Sequence, residues 1–214
     1  TPLKIAVLIP DRNDRPLLLS NCLRMLKAQT LQPDHIEIVN DAPLSTEKDI
    51  TYRYRIGYER LRNCGFDIIA LIENDDYYHF TYLETMVSKW MEFGKPDMLG
   101  CDFTVYYHIK LFKWLTMYHK TRSSAMNMLI KPDLDFSWCV DNDPYTDIWL
   151  WKTLKGIIWH PPMICMGIKH HEGLHGGRQH TDRYDRYIND DYSKEFLKSV
   201  MDKESFEFYS SYYK

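Results

Sequence analysis

Three carboxylates follow one apolar segment of this 214-residue chain. The run from Ile68 to Ile72 is predicted to form a buried strand, and Glu73, Asp75 and Asp76 come directly after it. Carboxylates this close raise one another's pKa by repulsion, so the group favours a bound divalent cation. The simpler interpretation is a polar strand end that faces water.

A second segment that could carry a functional site is rich in histidine and glycine. Its histidines are His170, His171, His175 and His180. The segment from His171 to His175 has the spacing His-Glu-x-x-His, with which a helix places two zinc ligands and a general base on one face. A zinc metalloprotease is therefore an alternative function. We expect no continuous helix here, because Gly173 interrupts the motif and Gly176-Gly177 follows it.

Strands and helices alternate in the first hundred residues. Apolar runs predict strands at 3–9, 35–39 and 68–72, and helical spacing predicts helices after residue 16, at 46–62 and at 82–93. This order predicts an α/β fold with a mostly parallel sheet flanked by helices. Ligands bind beyond the carboxyl ends of such strands, so the polar segments after Pro10, at Asn40-Asp41 and at Glu73 to Asp76 should converge.

The second half of the chain is less regular. We predict strands at 103–117 and 124–130, which form a short antiparallel extension around a turn at Tyr118-His119-Lys120. A helix is predicted from Asp147 to Leu154 and a further strand from Ile157 to His160. Residues 169–180 should form a loop, and 183–214 a polar tail with one or two helices.

Composition excludes several classes of protein. The net charge of −3 gives no general attraction to nucleic acid. The five cysteines are scattered without a Cys-x-x-Cys pair, which argues against a disulfide framework and favours a reducing compartment such as the cytoplasm. No apolar run approaches the length of a transmembrane helix, and no signal peptide is visible. Abundant aromatic residues leave a non-catalytic carbohydrate-binding module as a third possible function.

Taken in order, several short segments resemble nucleotide-sugar glycosyltransferases with the GT-A fold, above all their family 2. The matching segments are Ile9-Pro10, Arg12-Asn13, Ala28-Gln29-Thr30, Ile36 to Asp41, Glu73 to Asp76 and Tyr82-Leu83-Glu84. Each piece is short, but their order and spacing match the family over about the first 90 residues. Within this group the chain also resembles a small transferase domain of large algal viruses that is thought to modify capsid protein, which would place it in the host-cell cytoplasm.

The resemblance implies one GT-A domain with a nucleotide-binding half at 1–100, an acceptor and catalytic half at 101–182 and a helical tail at 183–214. It implies a nucleotide-diphosphate sugar donor, with uridine the expected nucleoside, and an acceptor hydroxyl on a glycan or glycoprotein. It further implies Mn²⁺ or Mg²⁺, held by Asp75 and Asp76. The residues expected around the nucleotide are Pro10, Arg12, Asn40, Asp41, Glu73 and Asp75.

Two further segments carry expected roles. His170-His171-Glu172-Gly173 resembles a His-x-x-Gly segment that supplies a metal ligand in some GT-A families, which implies His170 as a ligand and Arg178 as a contact of the phosphates. Family 2 has its catalytic base, a following Arg and a later Gly at the positions of Asp147, Lys152 and Gly156. Two residues depart from the family pattern: Thr146 replaces the usual Glu, and Lys152 replaces the usual Arg. The alternative for Asp147 is an acid that stabilises a helix N-terminus. Inversion and retention both remain open.

Overall fold

A computed structural model describes residues 1–41, 47–172 and 184–214. Within these residues the chain forms strands and helices that alternate in the first half. The strands are β1 (Ile5–Pro10), β2 (His35–Val39), β3 (Ile68–Leu71), β4 (Tyr77–Tyr78), β5 (Met98–Cys101), β6 (Phe103–His108), β7 (Lys113–Tyr118), β8 (Met128–Ile130), β9 (Ile157–Trp159), β10 (Cys165–Lys169) and β11 (Asn189–Asp190). The helices are α1 (Pro16–Lys27), α2 (Ile50–Leu61), α3 (Tyr82–Glu92), α4 (Thr146–Thr153), α5 (Glu195–Val200) and α6 (Lys203–Ser210).

The larger sheet has six strands in the order β2-β1-β3-β8-β5-β9. Strand β1 is parallel to both β2 and β3, and all six of its residues are buried. A continuous apolar run is typical of a parallel strand covered on both faces, which explains why β1 and β3 do not alternate with polar residues. The carboxyl ends of these three strands therefore lie at one edge of the sheet.

A second sheet has five strands in the order β11-β7-β6-β10-β4. Strands β6 and β7 form an antiparallel hairpin, and β10 runs parallel to β6 with Met166 opposite Val105. The α/β fold predicted from the sequence is confirmed, although this sheet is larger than the short antiparallel extension that was expected. No helix in the described part of the chain is long and apolar enough to cross a membrane.

Helices cover both faces of the larger sheet. Side chains from alternate positions of β1 enter two separate groups of buried residues, one beneath α1 and α3 and the other beneath α2. Helix α2 approaches β1 at Gly57, where an added Cβ would lie 2.0 Å from Leu8 Cδ1. Only glycine permits this close packing, which fixes the position of α2 and of the residues at its start.

The predicted turn at Tyr118-His119-Lys120 is wrong. The hairpin instead turns at residues 109–112, where Phe112 adopts a left-handed backbone conformation with φ of 52°. Strand β8 does not belong to this hairpin, because it pairs with β3 and β5 of the larger sheet. The turn segment contains none of the Gly, Pro, Asn or Asp residues that normally mark a turn, so one long strand was predicted across it.

Candidate active site

A cavity of about 670 Å³ opens at the carboxyl ends of β1 and β3, between the larger sheet and the hairpin of β6 and β7. Seven basic and four acidic side chains line it among the described residues, in a chain whose net charge is −3. The basic residues are Arg12, Arg15, Lys48, Arg53, Arg122, Lys169 and Arg186, and the acidic residues are Asp49, Glu73, Asp75 and Asp147. The cavity is therefore suited to a ligand with several negative charges.

Glu73, Asp75 and Asp76 form an acidic cluster just beyond β3, with one ligand oxygen from each within 4.8 Å of the others. Burial and the charge of Asp75 raise the pKa of Glu73 to about 7. Burial and the charges of Asp75 and Glu73 also raise the pKa of Asp76 well above its ordinary value. The Oδ2 atom of Asp76 is buried without a hydrogen-bond partner among the described residues. These carboxylates ionise more readily when a positive charge is bound beside them. Their oxygens are hard ligands of the kind that Mg²⁺ and Mn²⁺ prefer.

Asp75 differs from its two neighbours because two donors already hold it. Its Oδ2 atom lies 2.8 Å from Arg15 Nη1 and 2.8 Å from His170 Nε2. Burial opposes ionisation of Asp75, but Arg15 and His170 outweigh it and hold the pKa of Asp75 well below its usual range. Asp75 is thus the member of the acidic cluster whose ionised form the surrounding residues favour.

His170 is buried beside Asp75, and both of its ring nitrogens have partners. Its Nδ1 atom accepts the backbone N–H of Glu172 at 3.0 Å, so Nε2 carries the proton and donates it to Asp75. In this arrangement His170 orients the carboxylate. The role of metal ligand remains a prediction for His170, and it would require Nε2 to lose that proton.

The C-terminal helix α6 fixes the backbone of the acidic cluster. Tyr209 is fully buried, and its hydroxyl lies 3.2 Å from the carbonyl oxygen of Asp75 and 3.1 Å from that of Asp76. The side chain of Asp76 accepts the backbone N–H of Ile168 in β10 at 2.8 Å. The segment predicted as a polar tail with one or two helices therefore contains two, and it contributes directly to this site.

We expect Tyr209→Phe to lower the free energy of unfolding by about 1–2 kcal/mol, because it removes a buried donor from two carbonyl oxygens and leaves the packing unchanged. Urea denaturation followed by circular dichroism measures this change. Tyr118→Phe is the matched control, since Tyr118 is 65% exposed and should alter stability very little. Equal stabilities of the two variants would contradict a structural role for the Tyr209 hydroxyl.

Asp147 lies in the first turn of α4 and lines the same cavity as the acidic cluster. Its Oδ2 atom is 2.5 Å from Arg122 Nη1. Burial raises the pKa of Asp147 even though Arg122 opposes the change. The structure thus brings Asp147 to the cavity as the sequence predicted, and it adds Arg122 as a partner that sequence analysis missed.

Asp49 also lines the cavity, and it lies between two arginines. Its carboxylate oxygens are 2.7 Å from Arg12 Nη1 and 3.0 Å from Arg53 Nε. Arg53 is 1% exposed, and its Nη2 atom is buried without a partner among the described residues. Pro10 and Arg12 were expected in this region, whereas Asp49 and Arg53 were missed. The i, i+4 spacing of an acid and a base at the start of α2 was the available signal.

Two expected nucleotide contacts lie outside the cavity lining. The backbone carbonyl of Asn40 accepts the Nδ2 amide of Asn13 at 2.6 Å. Asp41 forms an exposed ion pair with Arg60 at 2.8 Å, and this hydrogen-bonded arginine lowers the pKa of Asp41. Neither residue lines the cavity in this structure, and their contact with a nucleotide stays a prediction.

The histidine-rich segment is only partly described. Arg178, His175 and His180 lie outside the described residues. His171 and Glu172 are not helical; the backbone N–H of His171 donates to Tyr213 Oη at 2.7 Å, and Tyr212 donates its hydroxyl to Glu172. The metalloprotease motif would place both of these residues on a helix, so its described part lacks the required geometry.

Comparison with known proteins gives similarity at the level of structure. No family model and no curated protein matches the sequence. The solved structure of S. aureus TarS 1-349 in complex with UDP-GlcNAc matches with a TM-score of 0.56 and 11% identity, over 81% of this chain and 60% of that one. The complex of the same fragment with UDP gives a TM-score of 0.51 at 11% identity, over 78% of this chain and 60% of that one.

A third structure of S. aureus TarS matches with a TM-score of 0.50 at 11% identity, over 78% of this chain and 37% of that one. The chain thus spans about 60% of the length of the first two structures it matches. The comparisons give no support to the narrower resemblance to an algal-virus capsid transferase. At 11% identity the similarity concerns the fold, and this chain has an α/β fold like that of a GT-A glycosyltransferase.

Proposed function

We propose that this protein is a metal-dependent glycosyltransferase that moves a sugar from a uridine-diphosphate donor to an acceptor hydroxyl on a glycan or glycoprotein. The observation that carries the proposal is the acidic cluster at the end of β3, because its members Glu73 and Asp75 line a cavity in which basic side chains outnumber acidic ones. The TarS structures with UDP-GlcNAc and UDP support the choice of donor, because this chain shares their fold.

In this proposal the acidic cluster faces the diphosphate of the donor. Asp75 and Asp76 would hold Mg²⁺ or Mn²⁺ together with Glu73, and the bound ion would neutralise charge that develops on the leaving diphosphate. Arg15 and Lys169 line the same region and add positive charge to the phosphates. Arg178 is proposed as a further phosphate contact.

Asp147 is the proposed general base. The acceptor oxygen attacks the anomeric carbon, the bond from that carbon to the diphosphate oxygen breaks, and UDP leaves with the electron pair. Asp147 takes the proton from the acceptor hydroxyl as its oxygen becomes the nucleophile. The raised pKa of Asp147 suits this role, since a stronger base accepts the proton more readily. A base on the acceptor fits a single displacement with inversion at the anomeric carbon.

The part of the cavity lining around Asp49 is the proposed nucleoside site. Pro10 and Arg12 line it together with Asp49 and Arg53. The ion pairs among these three charged side chains hold them in fixed positions, which is what a site that binds a planar base and a ribose requires.

A thermal-shift panel tests the proposed donor. UDP with Mn²⁺ should raise the melting temperature, and UDP alone should raise it little. At a ligand concentration of 100 Kd the stabilisation is about 2.7 kcal/mol, which corresponds to several degrees at about 2–4 °C per kcal/mol. ADP and GDP with Mn²⁺ are the matched controls and should give smaller shifts. Stabilisation by Zn²⁺ without any nucleotide would instead favour the metalloprotease.

A further inference from the structure

Arg15 is the cation that contacts the acidic cluster in this structure. It lies between β1 and α1, and its side chain is 15% exposed within the cavity lining. Its Nη1 atom is 2.8 Å from Asp75 Oδ2.

The contact between Arg15 and Asp75 uses only part of the guanidinium. Asp75 is bound through Nη1, while Nε is buried without a hydrogen-bond partner among the described residues. The nearest acceptor of Asp14 lies 3.8 Å from Nε, which is too long for a hydrogen bond. A guanidinium has five N–H donors in a planar fork that matches phosphate oxygens. Arg15 can therefore donate further hydrogen bonds to an anion in the cavity.

We propose that Arg15 couples the binding of the metal to the binding of the nucleotide, by moving from Asp75 to the diphosphate when both ligands enter together. This inference rests on the metal-dependent nucleotide site proposed above. A divalent cation that binds alone must displace the guanidinium from Asp75, which leaves Arg15 only the longer ion pair with Asp14 at 3.8 Å. A nucleoside diphosphate supplies that anion, and its phosphate oxygens can take the guanidinium in a two-point contact.

The coupling has to be reciprocal. If UDP strengthens Mn²⁺ binding by some factor, Mn²⁺ strengthens UDP binding by the same factor. His170 also donates to Asp75 Oδ2 in this structure, so a hydrogen bond that orients the carboxylate is available when Arg15 leaves. The expected behaviour is weak binding of Mn²⁺ alone and strong binding of Mn²⁺ and UDP together.

Titration of free Mn²⁺ by electron paramagnetic resonance, with and without UDP, tests the proposal on wild type and Arg15→Gln. The variant should bind Mn²⁺ alone about 5- to 150-fold more tightly, which is the usual range of coupling between two sites. It should also lose most of the gain that UDP confers on Mn²⁺ binding. Arg55→Gln is the matched control, because Arg55 pairs with Asp141 outside the cavity lining and the variant should leave both affinities unchanged.

Arg15→Lys provides a second test that keeps the charge, in case Arg15→Gln does not fold. Lysine lacks the planar fork, so Mn²⁺ alone should bind as in wild type while the coupling to UDP falls. Unchanged coupling in Arg15→Lys, or unchanged or weaker binding of Mn²⁺ alone in Arg15→Gln, would overturn the role of Arg15. If the Arg15 variants gave this result but UDP binding by wild type still required Mn²⁺, the proposed function would stand. Absence of Mn²⁺ binding to every variant, with and without UDP, would overturn both.

Discussion

Asp75→Asn is expected to abolish the Mn²⁺-dependent affinity for UDP. Asparagine keeps the shape of the side chain and one acceptor oxygen for Arg15 and His170, but it removes the charge of the cluster member whose pKa is lowered. Calorimetric titration of UDP in saturating Mn²⁺ should show a loss of at least about 100-fold, equivalent to about 2.7 kcal/mol.

The control for Asp75→Asn is Asp141→Asn, because Asp141 forms an exposed ion pair with Arg55 outside the cavity lining. Asp75 also contributes to stability. Since its pKa is lowered in the folded state, ionised Asp75 stabilises the fold above its unfolded pKa of about 3.9, and the contribution is lost as pH falls further. The calorimetric titrations should therefore be done at neutral pH, on variants whose folding has been checked. An unchanged, metal-dependent affinity would remove Asp75 from the site.

Asp147→Asn should slow transfer by about 10²- to 10⁴-fold at saturating donor, the usual contribution of a general base. The affinity for UDP should change little, because the amide preserves the shape of the side chain and Asp147 is not a member of the acidic cluster. Release of UDP in the presence of acceptor measures the rate, and calorimetry measures the affinity.

Asp143→Asn is the matched control for the base, since Asp143 precedes α4 and accepts the backbone N–H of Tyr145 at 2.8 Å. Burial raises the pKa of Asp147, so the acid limb of the wild-type pH profile should lie above the ordinary aspartate range and disappear in Asp147→Asn. Loss of UDP affinity with full turnover would make Asp147 a binding residue. No change in either would identify it as an acid that only stabilises the helix.

The first half of the fold could be predicted because its strands are continuous apolar runs that end abruptly at polar residues. Strand β2 has the predicted bounds, and β1 and β3 differ from prediction by no more than two residues at either end. Convergence of the loops after Pro10 and at Glu73 follows from parallel pairing alone, since it places carboxyl ends at one edge. The acidic cluster was therefore visible in the sequence.

The partners of that cluster could not be predicted in the same way. Arg15 and Asp75 are separated by 60 residues and His170 and Asp75 by 95, so no local period connects them. Strand β5, which lies next to the edge strand β9, was missed because Met98 to Cys101 is short and includes a glycine. The side chains of Ser123 and Trp151 leave no room for a Cβ at that glycine. Local sequence patterns indicate individual helices and strands. The contacts of Asp75 with Arg15 and His170 depend instead on how segments far apart in the sequence pack together.

The hydrogen bond from Tyr209 to the carbonyl of Asp75 spans 134 residues of sequence. During synthesis, the loop that carries the acidic cluster is made long before this tyrosine. The ribosome adds about 5–20 residues per second, so the loop lacks its last support for roughly 7 to 27 seconds. The hydrogen bonds from Tyr209 to the carbonyl oxygens of this loop therefore form only after helix α6 has been made.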